Sequence, residues 1–177
     1  MLPSVKALCT FALKVICAHR KYYPRKLEMT VFIPNAYYQH MLDTLGVVEF
    51  KTQVDAYWAT NANHCDVKFI QFDFDAQGNL IMVVTFSGEA VALVWTIGCA
   101  NEFVMACVQA FLDVTGPENK KLLVQVPRKE FMSTTTTPAV DFKLEKVLAT
   151  LCEKHPAIPD LMVGLTRDMI VIQGTIV

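Results

Sequence analysis

CDVKFIQFDFD, AQGN, LIMVVTF, SGEA and VALVWTIG follow one another from Cys65 to Gly98, and the stretch reads as three β-strands joined by two short polar links. Valine, isoleucine, phenylalanine and tryptophan dominate it, the side chains that pack best on a pleated surface. In Leu80–Phe86, one face carries Leu80, Met82, Val84 and Phe86, and the other Ile81, Val83 and Thr85. In Val91–Ile97, Val91, Leu93, Trp95 and Ile97 oppose Ala92, Val94 and Thr96. A sheet with one wet face alternates apolar and polar residues. These two strands do not, so helices or another sheet should cover both sides. The first strand is more mixed, with Asp66, Lys68, Gln71 and Asp73 spread over both faces, which places it near an edge or at a site. The links Ala76–Asn79 and Ser87–Ala90 each contain a glycine and suit hairpins, so this part is antiparallel.

Outward from these strands, Met29–Ile33 reads as a strand, and Asn35 after Pro34 as the cap of a helix running to Leu45 and stopped by Gly46. Val47–Val54 reads as a strand and Asp55–His64 as a loop. Asn101 caps a helix to Val114 with Phe103, Cys107, Phe111 and Val114 as its buried stripe, and Gly116-Pro117 ends it. Leu122–Val126 is a strand and Met132–Thr137 a threonine-rich loop. Thr137-Pro138 starts a helix whose Val140, Leu144, Val147, Leu148 and Leu151 face inward, closed by His155-Pro156. Leu161–Leu165 and Met169–Ile176 form a closing hairpin. The fold class that follows is α+β: a single domain over 29–177 with a mainly antiparallel sheet of about six to eight strands and about three or four helices packed on it.

Composition bounds the function classes. The 177 residues suit one domain, and with 53% hydrophobic and 19% charged residues the chain can bury a large core and is not of disordered type. No apolar run reaches the ~18 residues a membrane span needs. The six cysteines, Cys9, Cys17, Cys65, Cys99, Cys107 and Cys152, show no CxxC spacing. Cys99, Cys107 and Cys152 fall in apolar settings and read as buried free thiols of an intracellular, reducing compartment. Net charge is −1, unevenly placed: residues 1–27 hold Lys6, Lys14, Arg20, Lys21, Arg25 and Lys26 and no acid, whereas residues 29–177 carry a net −6.

Residues 1–28 form a basic amphipathic segment. Leu2, Val5, Cys9, Ala12, Leu13 and Ile16 share a helical face opposite Lys6, Thr10 and Lys14. Such a helix either packs on the sheet or is a mitochondrial transit peptide, the alternative location. The run from His19 to Lys26 interleaves bases and aromatics, and Arg20, Lys21, Tyr22, Tyr23, Arg25 and Lys26 suit a phosphate backbone and stacked bases. A solvated linker with two semi-buried tyrosines accounts for the same residues.

Asp73 and Asp75 lie on one side of a strand end and suit a shared divalent metal. The stretch from Asp73 starts like an EF-hand loop, but its twelfth position is Val84 where a glutamate is required, and strands flank it. A polar hairpin turn with Gly78 at positive φ explains the residues without a metal. From Val67 onward the order strand, strand, strand, helix, strand, helix resembles that of RNase H-like domains, and other α+β folds share it. That resemblance implies an acid on the first strand, Asp73 or Asp75, with Glu102 as a second carboxylate. Leu122–Val126 ends in Pro127-Arg128 and offers no acid, so a two-metal site is incomplete. His64 and Cys65, adjacent on a strand, point to opposite faces and cannot form a nucleophilic pair. Trp58, with Tyr57, is either an interface anchor on an exposed loop or a lid on the core.

With no catalytic constellation and no cofactor motif, the reading is a non-catalytic intracellular binding or assembly protein, self-associating or bound to a protein partner. Nucleic-acid binding or processing through residues 19–26, and a divalent-metal-dependent hydrolase using Asp73 and Asp75, are the alternatives.

Overall fold

The structure is a computed structural model that describes residues 4–23, 26–61, 64–87, 99–116, 118–131 and 144–176. The third central strand expected at Val91–Ile97, the loop at Met132–Thr137 and the helix start at Thr137-Pro138 lie outside the described residues. The rest folds as α1 (Val5–Tyr22), β1 (Glu28–Ile33), α2 (Gln39–Leu45), α3 (Val47–Asn61), β2 (Val67–Phe74), β3 (Leu80–Phe86), α4 (Cys99–Val114), β4 (Lys121–Pro127), α5 (Leu144–Lys154), β5 (Met162–Leu165) and β6 (Met169–Thr175). This is an α+β fold with two antiparallel three-stranded sheets, ordered β1-β3-β2 and β4-β6-β5. Among the described residues there are five α-helices, more than the sequence suggested, and six strands. No described helix is long and apolar enough to cross a membrane.

The hairpin that decides the fold forms as its sequence implies. β2 pairs with β3 from Phe74↔Leu80 outward, with one bulge between Val67 and Phe69. Gly78 takes a φ of 78°, the left-handed geometry a glycine adopts without cost. β3 is the middle strand; Leu80, Met82, Val84 and Phe86 are buried on one face and Ile81, Val83 and Thr85 half-buried on the other. The mixed strand β2 is at the edge, where Lys68, Gln71 and Asp73 reach water.

α1 and α4 lie against each other over the place where the sheets meet, with β1 beside β4. Leu8, Phe11, Val15 and Ile16 of α1 share one core with Phe103, Val108 and Phe111 of α4 and with the buried faces of β1, β3, β4 and β6. Phe11 and Phe111 meet edge to face, with centroids 5.8 Å apart. The basic N-terminal segment therefore contributes its apolar stripe to the same core as the strands.

Several readings are corrected. Val47–Val54 is not a strand and Asp55–His64 not a loop: α3 runs through both to Asn61, burying Phe50, Val54 and Trp58, each four residues from the next. The helix expected from Asn35 to Leu45 is split, a 3-10 turn at Asn35–Tyr37 preceding α2. Gly46 does end α2, with a φ of 84°. β4 pairs with β6 in the second sheet rather than joining β2 and β3, so the RNase H-like single-sheet arrangement is not formed by the described strands.

Removing Phe11's ring leaves a cavity between α1 and α4. Phe11→Ala should cost about 3–5 kcal/mol in urea unfolding, against less than about 0.5 kcal/mol for the exposed Val48→Ala. Equal midpoints for the two variants would remove α1 from the core.

Candidate functional site

Among the described residues, the end of α1 gathers a buried group of chemistry-bearing side chains. His19, fully buried, lies one turn above Tyr23, and its ring packs against Tyr23, Phe86 and Phe103. Its Nε2 is 3.0 Å from Oε2 of Glu130, which is itself 1% exposed. Lys26 Nζ donates to the same Oε2 at 3.0 Å, and the Thr30 N–H donates to Oε1 at 2.9 Å. Glu130 stands in the 3-10 turn Arg128–Phe131 that follows β4, so one carboxylate joins α1, β1 and the end of β4.

The geometry follows from the strand ladder. The Phe86 N–H donates to the Leu27 carbonyl and β1 pairs with β3 in that register. Alternate residues of an antiparallel strand turn their N–H and C=O groups outward. Thr30 is one of those, and without Glu130 its N–H would be an orphan at the seam between the sheets. Burial pushes the Glu130 carboxyl up, but His19 and Lys26 together outweigh it and hold the group below its ordinary value. Burial is also the main influence on His19 and lowers it, with the Lys26 and Arg20 charges adding to the effect against the pull of Glu130. The cluster at neutral pH is thus a carboxylate paired with an ammonium and capped by a neutral imidazole. Both carboxylate oxygens are engaged, Oε1 by the Thr30 N–H and Oε2 by Lys26 Nζ, with His19 Nε2 beside it.

Arg20 lies beside it. Its guanidinium donates to the Lys26 carbonyl at 3.0 Å and the Ser87 carbonyl at 3.3 Å, and it stacks on the Phe86 ring, 4.9 Å from the centroid. It also reaches Asp66 Oδ2 at 3.5 Å. Cys17, two residues before His19, forms a disulfide with Cys65. Among the described residues, Cys65 and Asp66 are the two non-glycine residues at positive φ, 59° and 60°, a backbone state that costs roughly 1–2 kcal/mol per residue. The bridge and the Arg20 contact hold that pair in place.

The candidate residues from the sequence sort as follows. Of the basic-aromatic run, Arg20 and Lys26 are spent on internal partners, Tyr23 is buried, Arg25 lies outside the described residues, and Lys21 and Tyr22 remain at or near the surface. Asp73 is exposed, 3.7 Å from Lys51 Nζ. Asp75 is turned into the hairpin, where its Oδ1 accepts from the Gln77 and Asn79 N–H groups and its Oδ2 from the Asn79 amide. Tyr38 donates to the Gly78 carbonyl, docking that turn on residues 35–38. Among the described residues no three of His, Cys, Asp and Glu converge as metal ligands. Trp58 is 6% exposed, so it seals the core, with half-buried Tyr57 edge-on to it. Glu102 lines a separate cleft of about 300 Å³ with Tyr22, Met105, Gln109, Lys154 and His155.

The cysteine reading changes. Cys17 and Cys65 are bridged and Cys152 is exposed rather than buried; Cys9 and Cys107 are the buried free thiols among the described residues, and the side chain of Cys99 lies outside them. Burial pushes Cys9 up to about 12 and Cys107 up as well, which leaves both as inert thiols. Cys65 has its sulfur in the bridge and is no nucleophile. Glu130, in the polar run Arg128-Lys129-Glu130, gave no sequence signal of its burial. No family model, no curated protein and no solved structure matches this chain.

Acid should weaken the fold in two stages. His19 in the fold binds its proton below the ordinary 6.5, so stability is whole above that value and falls as pH drops through it towards the folded value. Glu130's contribution is whole above 4.5 and is lost as pH falls from there towards its lower folded value. His155, partly buried, adds a smaller loss of the same sign as His19. The urea midpoint should fall between about pH 7 and about pH 5, and His19→Phe should remove most of that slope. At neutral pH Glu130→Gln should cost about 3–5 kcal/mol. A flat pH profile in the native chain would contradict this account. Separately, Cys17 and Cys65 are 48 residues apart, so opening the bridge with a dithiol should cost up to about 4 kcal/mol. Identical unfolding curves with and without reductant would show that the bridge contributes nothing.

Proposed function

We propose that this chain is a non-catalytic binding or assembly protein that acts through an oligomeric or protein–protein interface. The observation that carries the reading is where its exposed apolar side chains stand. Leu45, Val47 and Val48 crowd the corner between α2 and α3, with Val48 81% exposed, and Met162 and Leu165 stand out from the short strand β5. Grouped apolar exposure on a folded domain marks surfaces that another molecule covers. Of the side chains that suggested chemistry, Arg20, Lys26 and Asp75 are engaged within the fold, while Lys21, Tyr22, Asp73 and Glu102 remain at or near the surface.

The intracellular, reducing setting belongs to the same proposal. The buried thiols of Cys9 and Cys107 support it, and the Cys17–Cys65 bridge counts against it. The mitochondrial alternative would remove α1 from the core it fills.

Light scattering after size exclusion, at low and high salt, tests the reading. A defined oligomer that persists in high salt is the expected result. A monomer carrying nucleic acid that salt strips away would overturn it in favour of a surface around Lys21 and Tyr22. A bare monomer at every concentration would also count against it.

A further inference from the structure

β5 is paired with β6 on one side, and among the described residues no strand lies on the other. Its register is Met162↔Gln173, Val163↔Ile172, Gly164↔Val171 and Leu165↔Ile170. The Thr166 N–H donates to the Met169 carbonyl, which fixes the phase of the ladder. Thr166, Gly164 and Met162 turn their backbone groups towards β6, while Val163 and Leu165 turn theirs outward. β5 therefore presents two N–H and two C=O groups, alternating, on a strand edge whose Met162 and Leu165 are 59% and 48% exposed.

Building on the assembly reading above, we propose that this edge pairs with the same edge of a second copy, antiparallel about a two-fold axis through Gly164. This register is singled out by the ladder. Antiparallel partners must both turn outward or both turn inward. Pairing Val163 with Leu165 of the second copy, and Leu165 with its Val163, joins every outward group of both strands in four reciprocal hydrogen bonds. The half-buried Val163 then covers the exposed Leu165 of the other copy. On the opposite face Gly164 meets Gly164, with nothing to clash, and Met162 lies diagonally across the gap that the second copy's Gly164 leaves. The charges beyond the strand ends do not oppose this pairing: Asp160, whose Oδ1 accepts from the Thr175 N–H on the β6 side at 2.7 Å, comes to the other copy's neighbouring Arg167 and Asp168, whereas parallel pairing would set Asp160 beside Asp160 and Arg167 beside Arg167. A two-fold interface of this kind closes on itself and yields a dimer with a continuous six-stranded sheet.

Gly164 makes the inference testable, because a Cβ there meets nothing within 4 Å in the isolated chain. In a Cys152→Ser background, Gly164→Cys should form an intermolecular disulfide when oxidised glutathione accepts the two electrons. Directly opposed residues that are not hydrogen-bonded sit about 4.5 Å apart, within disulfide reach. The same background with Gly164 intact is the control and should not cross-link. Gly164→Asp sets two carboxylates face to face across the axis and should halve the mass seen by light scattering, with an unchanged circular dichroism spectrum; Leu165→Lys should do the same. An oligomer in which Gly164→Cys does not cross-link, or in which Gly164→Asp leaves the mass unchanged, would overturn the β5 pairing while leaving the assembly reading standing on the α2–α3 corner. A native chain that stays monomeric overturns both.

Discussion

The contact on which the rest of this structure depends is the hydrogen bond from the Thr30 N–H to the buried carboxylate of Glu130. Two three-stranded sheets meet at β1 and β4 without a ladder between them. Strand edges brought together in this way strand their outward backbone groups, and a buried N–H without an acceptor costs about 1–3 kcal/mol. Glu130 supplies the acceptor, and its own charge then has to be answered in a dry place. Lys26 answers it directly and His19 closes the remaining side. The seam follows the same logic on the β4 side. Within the β4–β6 register, the Ile176 N–H bonds the Lys120 carbonyl, which puts Pro127 at an outward position, where its missing N–H takes nothing from the ladder.

Because the cluster draws His19 from α1, Lys26 from the stretch before β1, Thr30 from β1 and Glu130 from the turn after β4, it also sets where α1 ends. The helix must deliver His19 to Glu130 and then release the chain so that Lys26 returns to the same oxygen before β1 begins. Arg20 spans that return, holding the Lys26 carbonyl on one side and the Ser87 carbonyl on the other. The Cys17–Cys65 bridge and Asp66 tie the start of β2 to the same turn of helix. A run of bases that looks in the sequence like a surface for polyanions is, for Arg20 and Lys26, the set of cations that a buried carboxylate and a row of carbonyls require.

What the sequence revealed and what it hid have physical reasons. The β2–β3 hairpin, β1, β4, α4 and the closing hairpin were legible because their apolar period matches one element type and their turn residues mark the ends. α3 reads as a strand followed by a loop because Phe50 and Val54 are four apart, a spacing that suits both a strand of period two and a helix of period 3.6, and because valines and a phenylalanine favour strands. Trp58 continues the same spacing and is the residue that discriminates the helix. The Glu130 site was illegible for a different reason: burial of a charge depends on partners about a hundred residues away in sequence, and no local pattern records that. The disulfide was hidden likewise, since Cys17 and Cys65 have no motif spacing and meet only when α1 lies beside the start of β2.

The two sheets also differ in how their outer edges meet water. β2 carries Lys68 and Asp73 and a bulge after Val67, devices that discourage pairing with another strand. β5 carries none of these; its exposed positions are methionine, glycine and leucine, and its charges stand beyond the strand ends. A four-residue edge offers few hydrogen bonds, so a stable contact through it depends on side chains from both faces joining in. Leu165 on one face and Met162 on the other are placed to do so. That asymmetry between a guarded edge and an unguarded one, within one small domain, is the physical reason for looking to the second sheet for assembly.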